Sequence, residues 1–269
     1  MWRRLPVTEG WICMNRIEKA FENKKAFIAF ITGGDPDIET TEKLILGMAE
    51  TGADIIEIGI PFSDPIAEGP VIQAADERAL AAGCTVDLLF GMVKRLRKTT
   101  DIPLLFMTYI NPIFVYGKER FMANCKESGI DGIIVPDLPF EERYELAHEC
   151  EIYGICHISM IAPTSGERVE TIAHEAHGFL YCVSSLGVTG TRNEINNDVA
   201  GLIRQVKAVS SVPCAVGFGI STPAQAGAMA AISDGVIVGS AIVKLIAQFG
   251  RESAEPVKRY VEEIKKGMK

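Results

Sequence analysis

Histidine is scarce in this chain, with 4 in 269 residues, and none of its 7 cysteines falls into a C-x-x-C pair. His174 and His177 stand three apart with no third ligand at metal spacing, which reads as a solvated helix face rather than a zinc site. An odd number of scattered thiols in mostly apolar surroundings excludes a disulfide framework and fits reduced, buried cysteines in a cytoplasmic protein. No apolar run approaches the ~18 residues of a membrane span. A positive excess is missing too: 27 Lys and Arg stand against 35 Asp and Glu, a net charge of −8. That balance argues against nucleic-acid or anionic-membrane partners, so an anionic ligand has to be attracted locally, against the overall field. Tryptophan is nearly absent, and both copies, Trp2 and Trp11, fall in the first thirteen residues. Residues 1–13 carry Arg3 and Arg4 but no apolar core of a signal peptide. They are expected to be an extension outside the folded domain, either an upstream start or an arm over the domain's floor. Helical patterning begins at Met14.

What is present is regular. Hydrophobic residues make up 48% of the sequence, and the length suits a single α/β barrel. Eight short apolar runs are spaced along it: 26–32, 55–59, 104–108, 132–135, 156–161, 179–183, 214–217 and 235–238. They are continuous rather than alternating, as expected for parallel strands covered on both faces. Between them lie amphipathic stretches with helix-end signals, over 40–51, 86–98, 119–128, 141–153, 167–176, 197–209, 223–231 and 240–248. Thr85 is placed to cap one start, and Gly52, Gly129 and Gly154 to close ends. Eight strand–helix units in one chain predict a (β/α)8 TIM barrel, a single domain over residues 14–269. An open doubly wound sheet is the competing architecture, but it usually has fewer strands and a topological switch.

In such a barrel the site is built from the loops at the C-terminal ends of the strands, and three loops carry unusual chemistry. The seventh strand runs into Gly217-Phe218-Gly219-Ile220-Ser221 and the eighth into Gly239-Ser240. Glycines there let backbone N–H groups approach an anion, and a helix N-terminus adds a favourable dipole. These two positions predict a phosphate cradle without Lys or Arg; the alternative is that the glycines only shape tight turns. Gly217-x-Gly219 also begins like a dinucleotide fingerprint, but Thr222 occupies the third glycine's place.

The second strand contains Glu57 among Ile55, Ile56, Ile58 and Ile60. A strand covered on both faces buries that carboxyl whichever way it points, and burial without a partner raises its pKa toward the range of proton exchange. Beyond it lie Asp64, a candidate turn former, and Glu68, flanked by Ala67 and Gly69 and therefore the better second acid–base group. The third loop, Ser184 to Glu194, exceeds the usual ~2–6 residues and has the small residues of a mobile cover. Within it, Gly190 is a further candidate phosphate contact and Arg192 a candidate carboxylate partner. Asn111-Pro112 reads as a turn. Tyr109 and Phe30 either line an aromatic pocket or fill the core.

The stretch from Glu57 to Pro70, Glu-Ile-Gly-Ile-Pro-Phe-Ser-Asp-Pro-Ile-Ala-Glu-Gly-Pro, preceded by Phe30-Ile-Thr-Gly-Gly-Asp-Pro, closely resembles the tryptophan synthase α subunit family. So do Leu186-Gly-Val-Thr-Gly190, Gly217-Phe-Gly-Ile-Ser221 and Gly239-Ser240, and the resemblance runs from about Met14 to the C-terminus. It implies a retro-aldol cleavage of indole-3-glycerol phosphate to indole and glyceraldehyde 3-phosphate in tryptophan biosynthesis. Glu57 matches the family's catalytic glutamate, which protonates indole C3 and then accepts the proton of the glycerol hydroxyl. Glu68 matches the second acid, which interacts with the indole N–H and is usually aspartate. Gly190, Gly219, Gly239 and Ser240 match phosphate contacts, Thr189 the threonine of the closing loop, and Phe30 and Tyr181 pocket residues. The resemblance also implies an α2β2 complex whose β subunit carries pyridoxal phosphate, with no cofactor or metal on this chain. Three rivals share these motifs in part: a stand-alone indole-3-glycerol-phosphate lyase, another phosphate-binding barrel such as a sugar-phosphate isomerase or epimerase, and a non-catalytic activator of a β subunit.

Overall fold

The computed structural model describes residues 16–183, 197–217 and 219–269. Nine parallel strands form one sheet: β1 Ala26–Thr32, β2 Ile55–Gly59, β3 Leu104–Met107, β4 Gly132–Ile134, β5 Cys156–His157, β6 Ser159–Ile161, β7 Leu180–Val183, β8 Cys214–Gly217 and β9 Gly235–Val238. Their order is β5-β4-β3-β2-β1-β9-β8-β7-β6. β5 and β6 are two halves of the fifth predicted strand, separated only by Ile158, so the sheet closes on itself as the predicted (β/α)8 barrel. The lower half pairs with β4, and the upper half pairs with β7. The ladder therefore changes sides at Ile158, whose N–H still donates to the Ile133 carbonyl at 2.9 Å.

Alternation along each strand separates two apolar layers. Ile28, Ile55, Leu105, Ile134, Ile158, Tyr181, Ala215 and Ile237 fill the barrel interior. Their sequence neighbours, such as Ile56, Ile58, Phe106 and Val216, face the surrounding helices. The described cysteines, at 84, 125, 150, 156, 182 and 214, are all buried and unbridged, as the composition implied. Among the described residues no helix is long and apolar enough to cross a membrane, and no cluster of side chains could hold a metal ion.

The helices agree with the expected ones within a few residues, with four differences. Pro70–Ala81 is a helix outside the eight expected stretches. Ile110–Tyr116 is a helix where Asn111-Pro112 suggested a turn; proline is tolerated because it falls in the first turn, whose N–H groups have no helical partner. The segment around 141 is a single 3-10 turn, Phe140–Glu142, before the helix Tyr144–Tyr153. A last helix, Ala254–Gly267, buries Val257, Val261 and Ile264 against the helices Ile38–Thr51 and Pro223–Ile232.

Three aspartates tie the barrel floor with one repeated contact. Asp54, Asp131 and Asp234 each precede a strand and accept the N–H of the neighbouring strand's first residues: Phe27 at 2.7 Å, Leu104 at 2.8 Å and Cys214 at 3.0 Å. Each also meets a cation, among them Lys24, Arg97 and Lys207.

At the opposite end, Asp35 is buried just after β1 and is held by Arg78 of the helix Pro70–Ala81. Arg78 Nε and Nη2 donate to its two oxygens at 2.8 Å each. Replacing Arg78 by leucine leaves that carboxylate buried without its cation. Because the arginine side chain is 36% exposed, the expected loss is about 2 kcal/mol rather than the ~3–5 of a fully buried pair. Urea denaturation measures it, and a midpoint equal to the parent's would show that water serves Asp35 as well as the arginine does.

Candidate active site

The β2 strand carries Glu57 into the barrel interior. Its neighbours Ile56 and Ile58 pack outward and Ile55 inward, so alternation turns Glu57 inward as well. In register it lies between Phe30 of β1 and Leu105 of β3. Glu57 is fully buried, and among the described residues neither carboxyl oxygen has a hydrogen-bond partner. Desolvation alone pushes its pKa up to about 8, so the group is a neutral acid at pH 7 that can exchange its proton near neutrality.

Above it, a cavity of about 230 Å³ opens at the C-terminal ends of the strands. Its walls are mostly apolar: Phe30, Ile72, Met107, Met160, Tyr181 and Ile237 are among them. Phe30 and Tyr181, both expected in the pocket, are among its lining residues, whereas Tyr109 is not; its hydroxyl instead supports the loop at Ala67. The cavity's polar edge consists of Glu68 on one side and Gly219, Gly239 and Ser240 on the other. Gly219 has φ +79°, a left-handed conformation that a side chain would strain. Gly217 answers to packing instead: a Cβ there would lie 2.7 Å from the Tyr181 hydroxyl. Gly239 begins the helix Ser240–Phe249 with no side-chain cap, which leaves the first N–H groups of that helix free at the cavity edge. No Lys or Arg is among the described lining residues, in keeping with a cradle built from backbone donors. Thr189, Gly190 and Arg192 lie outside the described residues, as do residues 1–13.

Glu57 itself does not line the cavity, but two wall residues adjoin it. Phe30 is its partner in the neighbouring strand, and the Tyr181 hydroxyl is near enough for the Glu57 charge to help raise its pKa, after burial.

Glu68 is positioned by residues 61–69, which fold back over the rim. The Ala67 N–H donates to the Tyr109 hydroxyl at 2.9 Å, and the Phe62 and Tyr109 rings pack 5.4 Å apart. Gln73 Nε2 holds the Glu68 carbonyl at 2.9 Å. Glu68 is not the surface residue it might have been: its pKa is raised by desolvation, and its carboxyl meets that of Asp76, a buried residue of the helix Pro70–Ala81. Asp76 was not among the sequence candidates. It stands in a polar run, Asp76-Glu77-Arg78, that reads as a solvated helix face. Asp64 is exposed, and its carboxylate accepts the hydroxyl of its neighbour Ser63.

A second cavity, of about 230 Å³, shares Pro136 and Met160 with the first and is lined also by Arg143, His157 and Arg168. Burial lowers the His157 pKa to about 4, so its ring is neutral.

Fold and site together define a (β/α)8-barrel enzyme with an apolar mouth cavity, a buried proton-bearing carboxyl beneath it and backbone donors along one edge. Comparison with known proteins makes the class specific. The family model described as tryptophan synthase alpha chain matches residues 17–269, and the chain belongs to that family. It is 47% identical over 252 residues to the tryptophan synthase alpha chain of Lacticaseibacillus casei, covering 94% of this chain and 95% of that one. With the protein of the same name from Thermoanaerobacter pseudethanolicus it shares 48% over 259 residues, covering 94% and 99%. The crystal structure of tryptophan synthase subunit alpha from Legionella pneumophila superposes with a TM-score of 0.86 at 38% identity, over 95% of this chain and 98% of that one. A chain of the tryptophan synthase a2b2 complex of Pyrococcus furiosus gives 0.83 at 40% identity, over 90% and 98%.

Proposed function

We propose that this chain is the α subunit of a tryptophan synthase, a carbon–carbon lyase that cleaves indole-3-glycerol phosphate to indole and glyceraldehyde 3-phosphate. The observation that carries the reading is the Glu57 carboxyl, buried, unpartnered and neutral at pH 7 beneath an apolar cavity. Cleavage needs a proton delivered to indole C3 and another removed from the hydroxyl on the adjoining glycerol carbon. As the bond between these carbons breaks, its electron pair returns to the indole ring and the hydroxyl becomes the aldehyde. One carboxyl that gives the first proton and accepts the second ends the cycle as it began. Since Glu57 does not line the cavity, delivery requires its side chain to swing upward between Phe30 and Tyr181.

In this reading Phe30 and Tyr181 flank the indole ring and the Glu68 carboxylate accepts the indole N–H. The N–H groups of Gly219, Gly239 and Ser240 hold the phosphate, aided by the Ser240 hydroxyl and by Gly190, while Thr189 belongs to a segment that closes over the substrate. No step calls for a cofactor or metal on this chain. A β subunit carrying pyridoxal phosphate is the proposed recipient of indole, in an α2β2 assembly. Ile66 and Val115, 76% and 80% exposed on adjacent segments at the mouth end of the barrel, support an apolar contact there.

The test is incubation of the purified chain with indole-3-glycerol phosphate, alone and with a co-purified β subunit. Indole and glyceraldehyde 3-phosphate are expected in equal amounts, faster with the partner. An absence of indole in both arms rejects the reading, and a rate indifferent to the partner favours a stand-alone lyase.

A further inference from the structure

We propose that Asp76 is a positioning residue for Glu68: a single proton bridges the two carboxyls, donated by Asp76, and holds the Glu68 carboxylate charged and aimed at the cavity. The inference rests on the reading of Glu68 as the acceptor of the substrate's indole N–H. The Glu68 side chain meets that of Asp76 at the rim, and Glu68 Oε2 is buried with no other hydrogen-bond partner among the described residues. Two bare carboxylates in such contact repel, so the pair calls for a proton between them. The surroundings say which residue keeps it. Asp76 is buried with 3% exposure, whereas Glu68 lies on the cavity wall. Desolvation first, then the Glu68 charge, pushes Asp76 up to about 9.

Among the described residues no cation faces the pair to replace the proton. The pair faces the Phe62 N–H, the Thr32 hydroxyl and the Tyr109 hydroxyl, with Asp137 on the far side of Tyr109. Arg78, two residues along the helix, is engaged by Asp35. Glu77 and, on the packed helix Ser240–Phe249, Lys244 are exposed. The arrangement also accounts for the length of residue 68: at that point of the rim a glutamate spans from the loop both to Asp76 and to the cavity. The site thereby holds two rim carboxyls at the electrostatic cost of one charge, which suits a cavity that must also accept a phosphate.

The variants Asp76→Leu and Asp76→Asn separate positioning from packing. Leucine removes the donor, so the buried Glu68 carboxylate loses its stabilisation and titrates at higher pH. The acid limb of kcat/KM for indole release is then expected to move up by about one pH unit or more, with a loss of about 10–100-fold at neutral pH. Asparagine keeps an N–H donor and should restore most of that loss with the limb unmoved. An unshifted limb in Asp76→Leu, or equal behaviour of the two variants, overturns the proposal. A second measurement does not depend on turnover. In a Glu57→Gln background, the infrared carbonyl band of a protonated buried carboxyl is expected at pH 7, and Asp76→Asn should remove it. Persistence of the band overturns the shared proton. If the parent chain releases no indole while the band behaves as described, the functional reading fails and the carboxyl pair stands.

Discussion

Glu57→Gln is expected to reduce indole release by about 10²–10⁴-fold, the usual contribution of a positioned acid–base group. The amide has the shape of the neutral carboxyl and occupies the same space on the inner face of β2, so substrate should still bind. The effect therefore belongs in kcat, with KM changed little, and activity within about tenfold of the parent would remove Glu57 from the chemistry. The pH dependence follows from the same burial. With its pKa pushed up to about 8, Glu57 holds the proton required for C3 below that pH and has lost it above. The parent's kcat/KM should therefore fall on the alkaline side near pH 8. The sign for stability is fixed too. A carboxyl whose pKa is higher in the folded than in the unfolded state contributes stability that is complete below the unfolded value, near 4.5, and is lost as pH rises through about 8. Glu57→Gln is free of that loss, so its melting temperature should equal or exceed the parent's at pH 8. A variant that is inactive and also less stable there would point to damage of the core instead.

Glu68→Ala should be the second most damaging change, lowering kcat/KM by about 10²-fold, since a buried charge-assisted hydrogen bond to the substrate would be lost. Here KM is expected to rise as well, because the indole N–H keeps no acceptor in an otherwise apolar slot. Glu68→Asp is the sharper comparison. It restores the residue that the family resemblance leads one to expect, but draws the carboxylate about one methylene back from the rim. That shortening is expected to loosen the contact with Asp76 and to move the acid limb of kcat/KM; a limb equal to the parent's would show that the extra methylene is not what keeps the pair together. An unimpaired Glu68→Ala enzyme would mark Glu68 as a rim residue without a part in the reaction.

Much of this was legible from residues alone. Eight apolar runs without alternation specify parallel strands buried on both sides, and a glutamate within one of them has nowhere to go but a dry interior. Its inward direction also follows from the period of two once Ile55 and Ile56 are assigned to opposite layers. The break at Ile158 was not legible, because the run from Cys156 to Ile161 is uniformly apolar and the exchange of pairing partners is decided by the neighbouring strands. The final helix was missed although Val257, Val261 and Ile264 recur at helical spacing, since no ninth helix is needed to complete eight units. Asp76 escaped for a different reason. Its burial is created by residues 61–69 folding back over the rim and by Tyr109 taking the Ala67 N–H, both contacts between distant parts of the chain. The glycines carried two kinds of information that the sequence does not separate: Gly219 bends the backbone and Gly217 clears space for Tyr181.

The exchange of partners at Ile158 also bears on how the barrel can breathe. Below that residue the fifth strand is bonded to β4, and above it to β7; β4 ends at Ile134, so at the mouth a slit without a ladder separates β6 from the chain that follows β4. Pro136 and Met160, which border this slit, belong to both cavities. Mechanically the barrel is a split ring, continuous through β1 and β9 and slotted on the far side. A bulky substrate can be accommodated by a slight spreading of the slot, with no backbone hydrogen bond broken, while the aspartate-tied floor keeps the lower ring shut.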